Sequence, residues 1–364
     1  MTLLRSPLHD RHVALGAKLA EFGGWEMPLE YAGGGVLAEH RAVREAVGVF
    51  DVSHLGTLRV TGEGAAALVD GTLTNDLGRI GPGQAQYTLC CDESGGVVDD
   101  LIVYRVSDTD LLLVPNAANA AEVARRLVAV APAGVDITDL HEDEAIIAVQ
   151  GPASDAVLQA MGLPTGHDYM AFESGLLGDR RVTVCRSGYT GEVGYELVVE
   201  ADGALAVWDA VMAAGETHGV RACGLGARDT LRTEMGYPLH GQDLSLEISP
   251  VMARSGWAVG WDKPAFWGRD ALVAQREDKT VPLLRGLRAT GRGIPRAGMT
   301  VLGASGEPAG TVTSGTFSPT LRTGVGLALL DRSVGFGDQV TVDVRGRAEL
   351  FDVVKPPFVE ASTR

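Results

Sequence analysis

Three short segments of this 364-residue chain carry the side chains best suited to chemistry. In GGVVDDLIVY (Gly95–Tyr104) two adjacent carboxylates interrupt an apolar, β-branched run. Val, Ile and Tyr favour extended backbone, and a strand sends successive side chains to opposite faces. Val98, Asp100, Ile102 and Tyr104 therefore share one face, and Val97, Asp99, Leu101 and Val103 the other. A carboxylate on an apolar face is costly without a partner, and one so held suits proton transfer or the gripping of a polar ligand. The pattern equally fits a turn at Gly95-Gly96 with both acids solvated where the strand begins.

SGYTGEVGYE (Ser187–Glu196) spaces three glycines three residues apart, between two extended runs. One reading is a hairpin turn that needs positive φ. The other is a Gly-lined loop presenting Tyr189 and Glu196 to a flat ligand with hydrogen-bond donors. Alternation puts Tyr195, Leu197 and Val199 on an apolar face, which leaves Glu196 an ordinary solvent-facing acid. CGLGARDTLRTE (Cys223–Glu234) reads as a loop entering a helix, with Arg228 and Arg232 four residues apart on one face. They form either a salt-bridge face with Asp229 and Glu234 or a fork aimed at a ligand or site carboxylate.

Other chemistries are excluded. There is no GxxxxGK[ST] phosphate loop. Gly224-Leu225-Gly226 puts Asp229 where a dinucleotide fingerprint needs Gly or Ala, and it follows no long strand. Ser53 and His54 point apart on a strand, and no GxSxG elbow exists, so a structural or ligand-orienting role suits that pair better than nucleophilic catalysis.

These segments need a scaffold that mixes helices with antiparallel strands. Val36–Val47, Asn119–Ala131 (capped by Asn119), Ala153–Met161 and Gly203–Ala214 (behind Asp202) read as helices. Thr57–Val60, Gln84–Cys91, Leu111–Val114, Ala145–Val149, Val182–Cys185 and Tyr195–Val199 read as strands. There is no regular strand–helix alternation, so the class is α+β. After Lys279-Thr280-Val281-Pro282 the chain turns to short extended runs with Gly-rich turns, an all-β C-terminal domain.

The net charge of −16 argues against nucleic-acid binding, and an acidic protein partner would need a local basic patch that the sequence does not locate. No apolar stretch approaches the roughly 20 residues that span a bilayer. MTLLRSPLHDRH lacks the apolar core of a signal peptide. Four cysteines without a CxxC pair suit reduced thiols in the cytoplasm.

In order along the chain, FGGWEMPLEY, GVFDVSHLG, LTNDL, GGVVDDLIVY, VPNAAN, AVQGP, SGYTGEVGYE, CGLGARDTLR, TSGTFSPTL and VKPPFV resemble the glycine cleavage system T-protein family, the aminomethyltransferases. The resemblance spans almost the whole chain. It implies two interleaved α+β domains in residues 1–279, with a boundary near 55–140, and a barrel-like domain in 280–364 around a central channel. It implies transfer of the methylene carbon from the aminomethyl-lipoyl arm of an H-protein to tetrahydrofolate, a co-substrate. Ammonia, 5,10-methylenetetrahydrofolate and dihydrolipoyl H-protein would result, with no metal and no nucleotide cofactor. The implied partners are the lipoylated H-protein and, more loosely, the P- and L-proteins, with no nucleic acid or membrane.

The resemblance gives Asp100, not Asp99, the contact near the reactive folate nitrogens. Glu196 would accept from the pterin N–H groups, and Arg228, Tyr87, Asn116, Tyr189 and Tyr237 would line the same site. His240 stands where the family usually has Tyr, and the tail after Val359 lacks a Tyr that some relatives place near the folate. Flavin-linked sarcosine and dimethylglycine oxidases share the fold, but this chain lacks both the length and the fingerprint for a flavin domain. Folate-binding iron–sulfur maintenance factors carry Lys-Gly-Cys before Gly-Gln-Glu, whereas here Tyr237–His240 precede Gly241-Gln242-Asp243.

Overall fold

The computed structural model describes residues 2–360, so the last four residues of the tail lie outside it. Val47–Asp51 and Glu144–Gln150 pair antiparallel, Ile147 opposite Asp51, and the residues between them loop out to build a second sheet. The first sheet runs Phe172–Leu177, Arg180–Cys185, Gly194–Glu200, Glu144–Gln150, Val47–Asp51, Val220–Cys223, all antiparallel except the last pair. The second runs Gln84–Cys91, Val97–Ser107, Asp110–Val114, Leu58–Thr61, Asp136–Asp139. Leu4–Arg5, Trp25–Tyr31 and Ala17–Phe22 form a small third sheet.

Each large sheet buries one face under helices. Tyr195, Leu197 and Val199 pack against Val157 and Leu158 of helix Ser154–Ala160 and Val207, Trp208 and Val211 of helix Ala204–Gly215. Leu101 and Val103 do the same against Val69 of Ala65–Thr72 and Val123 and Leu127 of Ala120–Val130. The inner faces meet each other, Tyr104, Leu112 and Ala85 against Phe50, Ile146, Ala148 and Val198. The result is a helix–sheet–sheet–helix stack.

Leu283–Ala289, Thr323–Leu330, Pro308–Ser318, Thr300–Leu302, Gln339–Asp343 and Ala348–Val354 close into a barrel, and residues 283–360 contain no helix. The architecture is α+β with antiparallel sheets and a closed C-terminal barrel, as the resemblance implies. Helix Leu225–Met235 links barrel and stack. Buried Arg232 donates to Asp243 (2.8 Å) and Ser314 (3.0 Å), and Glu234 accepts from Ser318 (2.5 Å), Thr320 (2.9 Å) and Arg44 (2.8 Å).

Several local expectations change. The helix read as Val36–Val47 is Gly35–Glu45, because Val47 already pairs in the sheet core. Asn119 and Asp202 make no capping bond; the Asn119 amide is drawn to Asp99 and the Asp202 carboxylate to Arg180. Of the three loop glycines only Gly191 has positive φ (+83°). Gly188 and Gly194 are small because a Cβ would lie 2.1 and 2.4 Å from the Gln150 side chain.

Candidate active site

A cavity of about 450 Å³ lies between the two inner sheet faces, within the usual size of a small-ligand site. Its lining includes Tyr87, Asp100, Asn116, Tyr189, Glu196, Arg228 and Tyr237, so all seven residues singled out in the sequence come together there. Every lining residue lies before residue 258; the barrel supplies none.

Strand Val97–Ser107 places the two acids. A bulge opposite Cys90 and Cys91 absorbs Val98, which packs with Leu101 and Val103 rather than with Ile102 and Tyr104. The expected alternation therefore begins only at Asp99. From there Asp100, Ile102 and Tyr104 face the cavity, and Asp99 is fully buried behind it. Neither acid is solvated at a turn.

The Asp100 carboxylate accepts from the Tyr87 hydroxyl (2.9 Å) and the Asn116 amide (3.0 Å). Asp99 accepts from the Asn116 backbone N–H (3.0 Å), the Asn116 amide (2.9 Å) and the Asn119 amide (2.7 Å). Burial pushes both carboxyls above their ordinary range; the charge of Asp100 adds to this at Asp99, while the donors on each pull the other way. No cation lies within salt-bridge distance of either acid among the described residues. His240 closes the network. Its Nε2 lies 3.0 Å from the Val97 carbonyl, which can only accept, so Nε2 carries the proton. Nδ1 is then an acceptor for the Asn119 amide at 3.0 Å.

Across the cavity Glu196 is 7% exposed, not solvent-facing, because the second sheet covers its side of the strand. It accepts from Ser187 Oγ at 2.5 Å, and Ser187 in turn meets the Tyr104 hydroxyl at 3.2 Å. Arg228 and Arg232 part company. Arg232 is saturated by Asp229 and Asp243, whereas Arg228 lies over the Tyr189 ring at 4.7 Å. The buried Nη1 of Arg228 has no hydrogen-bond partner among the described residues. Burial lowers its pKa, with the Glu196 charge opposing. The Tyr189 ring stacks on Tyr237 at 5.7 Å, and its hydroxyl donates to the Pro238 carbonyl.

Sequence reasoning missed Trp257, which is 66% exposed, stacks on Tyr87 at 5.2 Å and lines the cavity. Its one signal is an indole after Ser255-Gly256, in a turn that no apolar periodicity requires. Ser53 bonds the Ile146 backbone, while His54 faces the cavity, pushed down to about 3 by burial and by Arg228 and therefore neutral. Among the described residues no three His, Cys, Asp or Glu are grouped to hold a metal.

The profile described as the GCVT N-terminal domain matches residues 8–263, and that of the glycine cleavage T-protein C-terminal barrel domain matches 283–360. The chain belongs to the glycine cleavage T-protein family. An aminomethyltransferase of Parafrankia sp. (strain EAN1pec) is 66% identical over 362 residues, covering 100% of this chain and 99% of the relative. One from Mycobacterium tuberculosis (strain ATCC 25618 / H37Rv) is 59% identical over 364 residues, covering 100% and 98%. The crystal structure of the glycine cleavage system aminomethyltransferase T from Bartonella henselae superposes with a TM-score of 0.92 at 32% identity, covering 99% of both chains. Members of this family are folate-dependent transferases, and the chain is an enzyme of that class. No helix among the described residues is long and apolar enough to cross a membrane.

Proposed function

We propose that this enzyme transfers the methylene carbon of an aminomethyl-lipoyl arm, carried by the H-protein, to tetrahydrofolate. The observation that carries the reading is the pairing of two carboxylates across one cavity, half-buried Asp100 with neutral donors and buried Glu196 beside the unpartnered Arg228 Nη1. A reduced pterin offers a flat ring with an amino group and ring N–H donors, which Glu196 accepts. Arg228 supplies the complementary donor to an oxygen of the same ligand. The Tyr189 and Tyr237 rings give an apolar wall.

In the reaction the carbon leaves both its sulfur and its nitrogen and bonds to two folate nitrogens. The two folate N–H protons depart, one with ammonia and one with the dihydrolipoyl thiol. Asp100 orients the reacting nitrogens and relays a proton, a task helped by a carboxyl whose pKa burial has raised above its ordinary value. Tyr87 and Asn116 hold the carboxylate in place. The four buried free cysteines support a reducing, cytoplasmic setting, and the P- and L-proteins complete the system.

The test is methylenetetrahydrofolate formation from glycine in a mixture of purified P-, H- and L-proteins with this enzyme. Product should appear only when it is present. A mixture that yields product equally without it would sink the reading.

A further inference from the structure

In a chain of net charge −16, one surface runs the other way. Arg285, on the first barrel strand, is 8% exposed and donates Nε to the Val334 carbonyl at 2.7 Å. Its guanidinium lies 4.8 Å from the centre of the Phe336 ring, and that of Arg254 lies 5.2 Å from the same ring. Arg332 is anchored nearby through Nε to the Val281 carbonyl at 2.9 Å. No carboxylate pairs with any of the three within 4 Å among the described residues. Burial and the charges of Arg254 and Arg332 all disfavour the Arg285 cation. Asp338 is the acid that opposes them, and its carboxylate is engaged by the Gly335 N–H at 2.7 Å. Two guanidiniums against a 42%-exposed Phe ring, with the charge of Arg332 acting on one of them, are unfavourable unless a counter-charge arrives from outside.

The cluster adjoins the cavity mouth. Leu284 donates to the Met252 carbonyl at 2.8 Å, which ties the barrel strand to the turn bearing Arg254 and Trp257. Three peptide units separate those two residues, so their Cα atoms lie within about 11 Å. Trp257 is both exposed and part of the cavity wall, and Arg276 covers the neighbouring Trp261 at 4.5 Å. Arginine beside exposed aromatic rings is the composition of protein-binding hot spots.

The geometry points to Arg254, Arg285, Arg332 and Phe336 as the docking face for an acidic patch on the protein that delivers the lipoyl arm. This rests on the substrate reading above. A partner seated there lies beside the opening through which its arm must pass. The unpaired arginines steer it toward an otherwise acidic enzyme.

The experiment is steady-state kinetics of Arg254→Glu, Arg332→Glu and the double variant with aminomethylated H-protein at low and high salt. The double variant should raise KM for H-protein roughly tenfold at low salt and flatten its salt dependence. Its kcat, and its KM for tetrahydrofolate, should match the wild type, and Arg254→Lys should keep most of the affinity. If the double variant does not fold, Arg254→Glu alone, at an exposed side chain, carries the test. Unchanged KM for H-protein overturns the docking face, as does a rise confined to polyglutamylated folate, which would assign the arginines to the folate tail. A wild-type enzyme inert toward aminomethylated H-protein but active with another one-carbon donor would overturn the substrate reading instead.

Discussion

Buried acids occupy two regions of this molecule and are held in opposite ways. At the cavity, Asp99 and Asp100 are satisfied by amides and a tyrosine hydroxyl, all neutral. At the joint between helix Leu225–Met235 and the barrel, Asp243 meets Arg232, and Glu234 meets Arg44 and His40. Burial pushes Glu234 up too, but its hydrogen bonds to His40, Ser318 and Arg44 outweigh it and hold the carboxyl down to about 2, whereas at the cavity pair burial wins. Neutral donors fix a carboxylate in space yet leave its proton within reach. Cations fix it and remove the proton from use. The first arrangement suits chemistry and the second suits assembly.

The largest effect expected of a change to this contrast is at Asp100. Asp100→Asn keeps the fold, because the Tyr87 hydroxyl can reverse its hydrogen bond, and lowers kcat by roughly 10²–10⁴-fold. Near-normal turnover in the reconstituted assay would remove Asp100 from the chemistry. Asp243→Ala leaves Asp229 as the remaining acid on Arg232 and strips Thr313 and Ser314 of an acceptor, and should cost about 1.5–3 kcal/mol in urea unfolding. A loss under 1 kcal/mol would mean that the joint is not held by charge.

Glu196→Ala should weaken tetrahydrofolate binding by about 1–3 kcal/mol, read by calorimetry. Unchanged affinity would place the pterin elsewhere. Asp99→Asn should cost about 1–3 kcal/mol of stability, more than it costs turnover, since the Asn116 backbone N–H cannot reverse and the Asn116 and Asn119 amides could turn over only by giving up their bonds to Asp100 and His240. Equal losses in both neighbouring variants would erase the distinction between the two acids.

The pH dependence separates the regions by sign. Glu234, depressed from 4.5 to about 2, contributes stability that is present above its ordinary value and lost as pH falls through the folded one. Asp100, raised from 3.8, works in reverse: its penalty is absent below that ordinary value, grows as pH rises above it, and is complete above the folded one. Asp100→Asn should therefore gain stability relative to the wild type as pH rises above 3.8, measured as the difference in urea midpoints. A gain that shrinks with pH would contradict the neutral-donor picture.

Much of the architecture was legible because it follows from local pattern. Gln84–Cys91 alternates as a strand and is one, and the Gly-punctuated run after Pro282 forms the barrel. What escaped depends on partners distant in sequence. Glu196 alternates like a surface acid, and nothing in its own strand announces that a second sheet covers it. Asn119 has the type and place of a helix cap, but a buried carboxylate competes for its amide and wins. The bulge at Val98 is invisible without the opposing strand. Arg228 and Arg232 are indistinguishable by spacing and part only when Asp243 and Ser314 arrive from other elements.

The cavity takes no side chain from the barrel, although helix Leu225–Met235 is bolted to it. Substrate chemistry and the barrel surface are thus written on separate strands. If the exposed positions around Phe336 receive the carrier as proposed, an engineer could redraw them without touching a residue that lines the cavity. The same separation lets the two halves of the enzyme accumulate change at different rates.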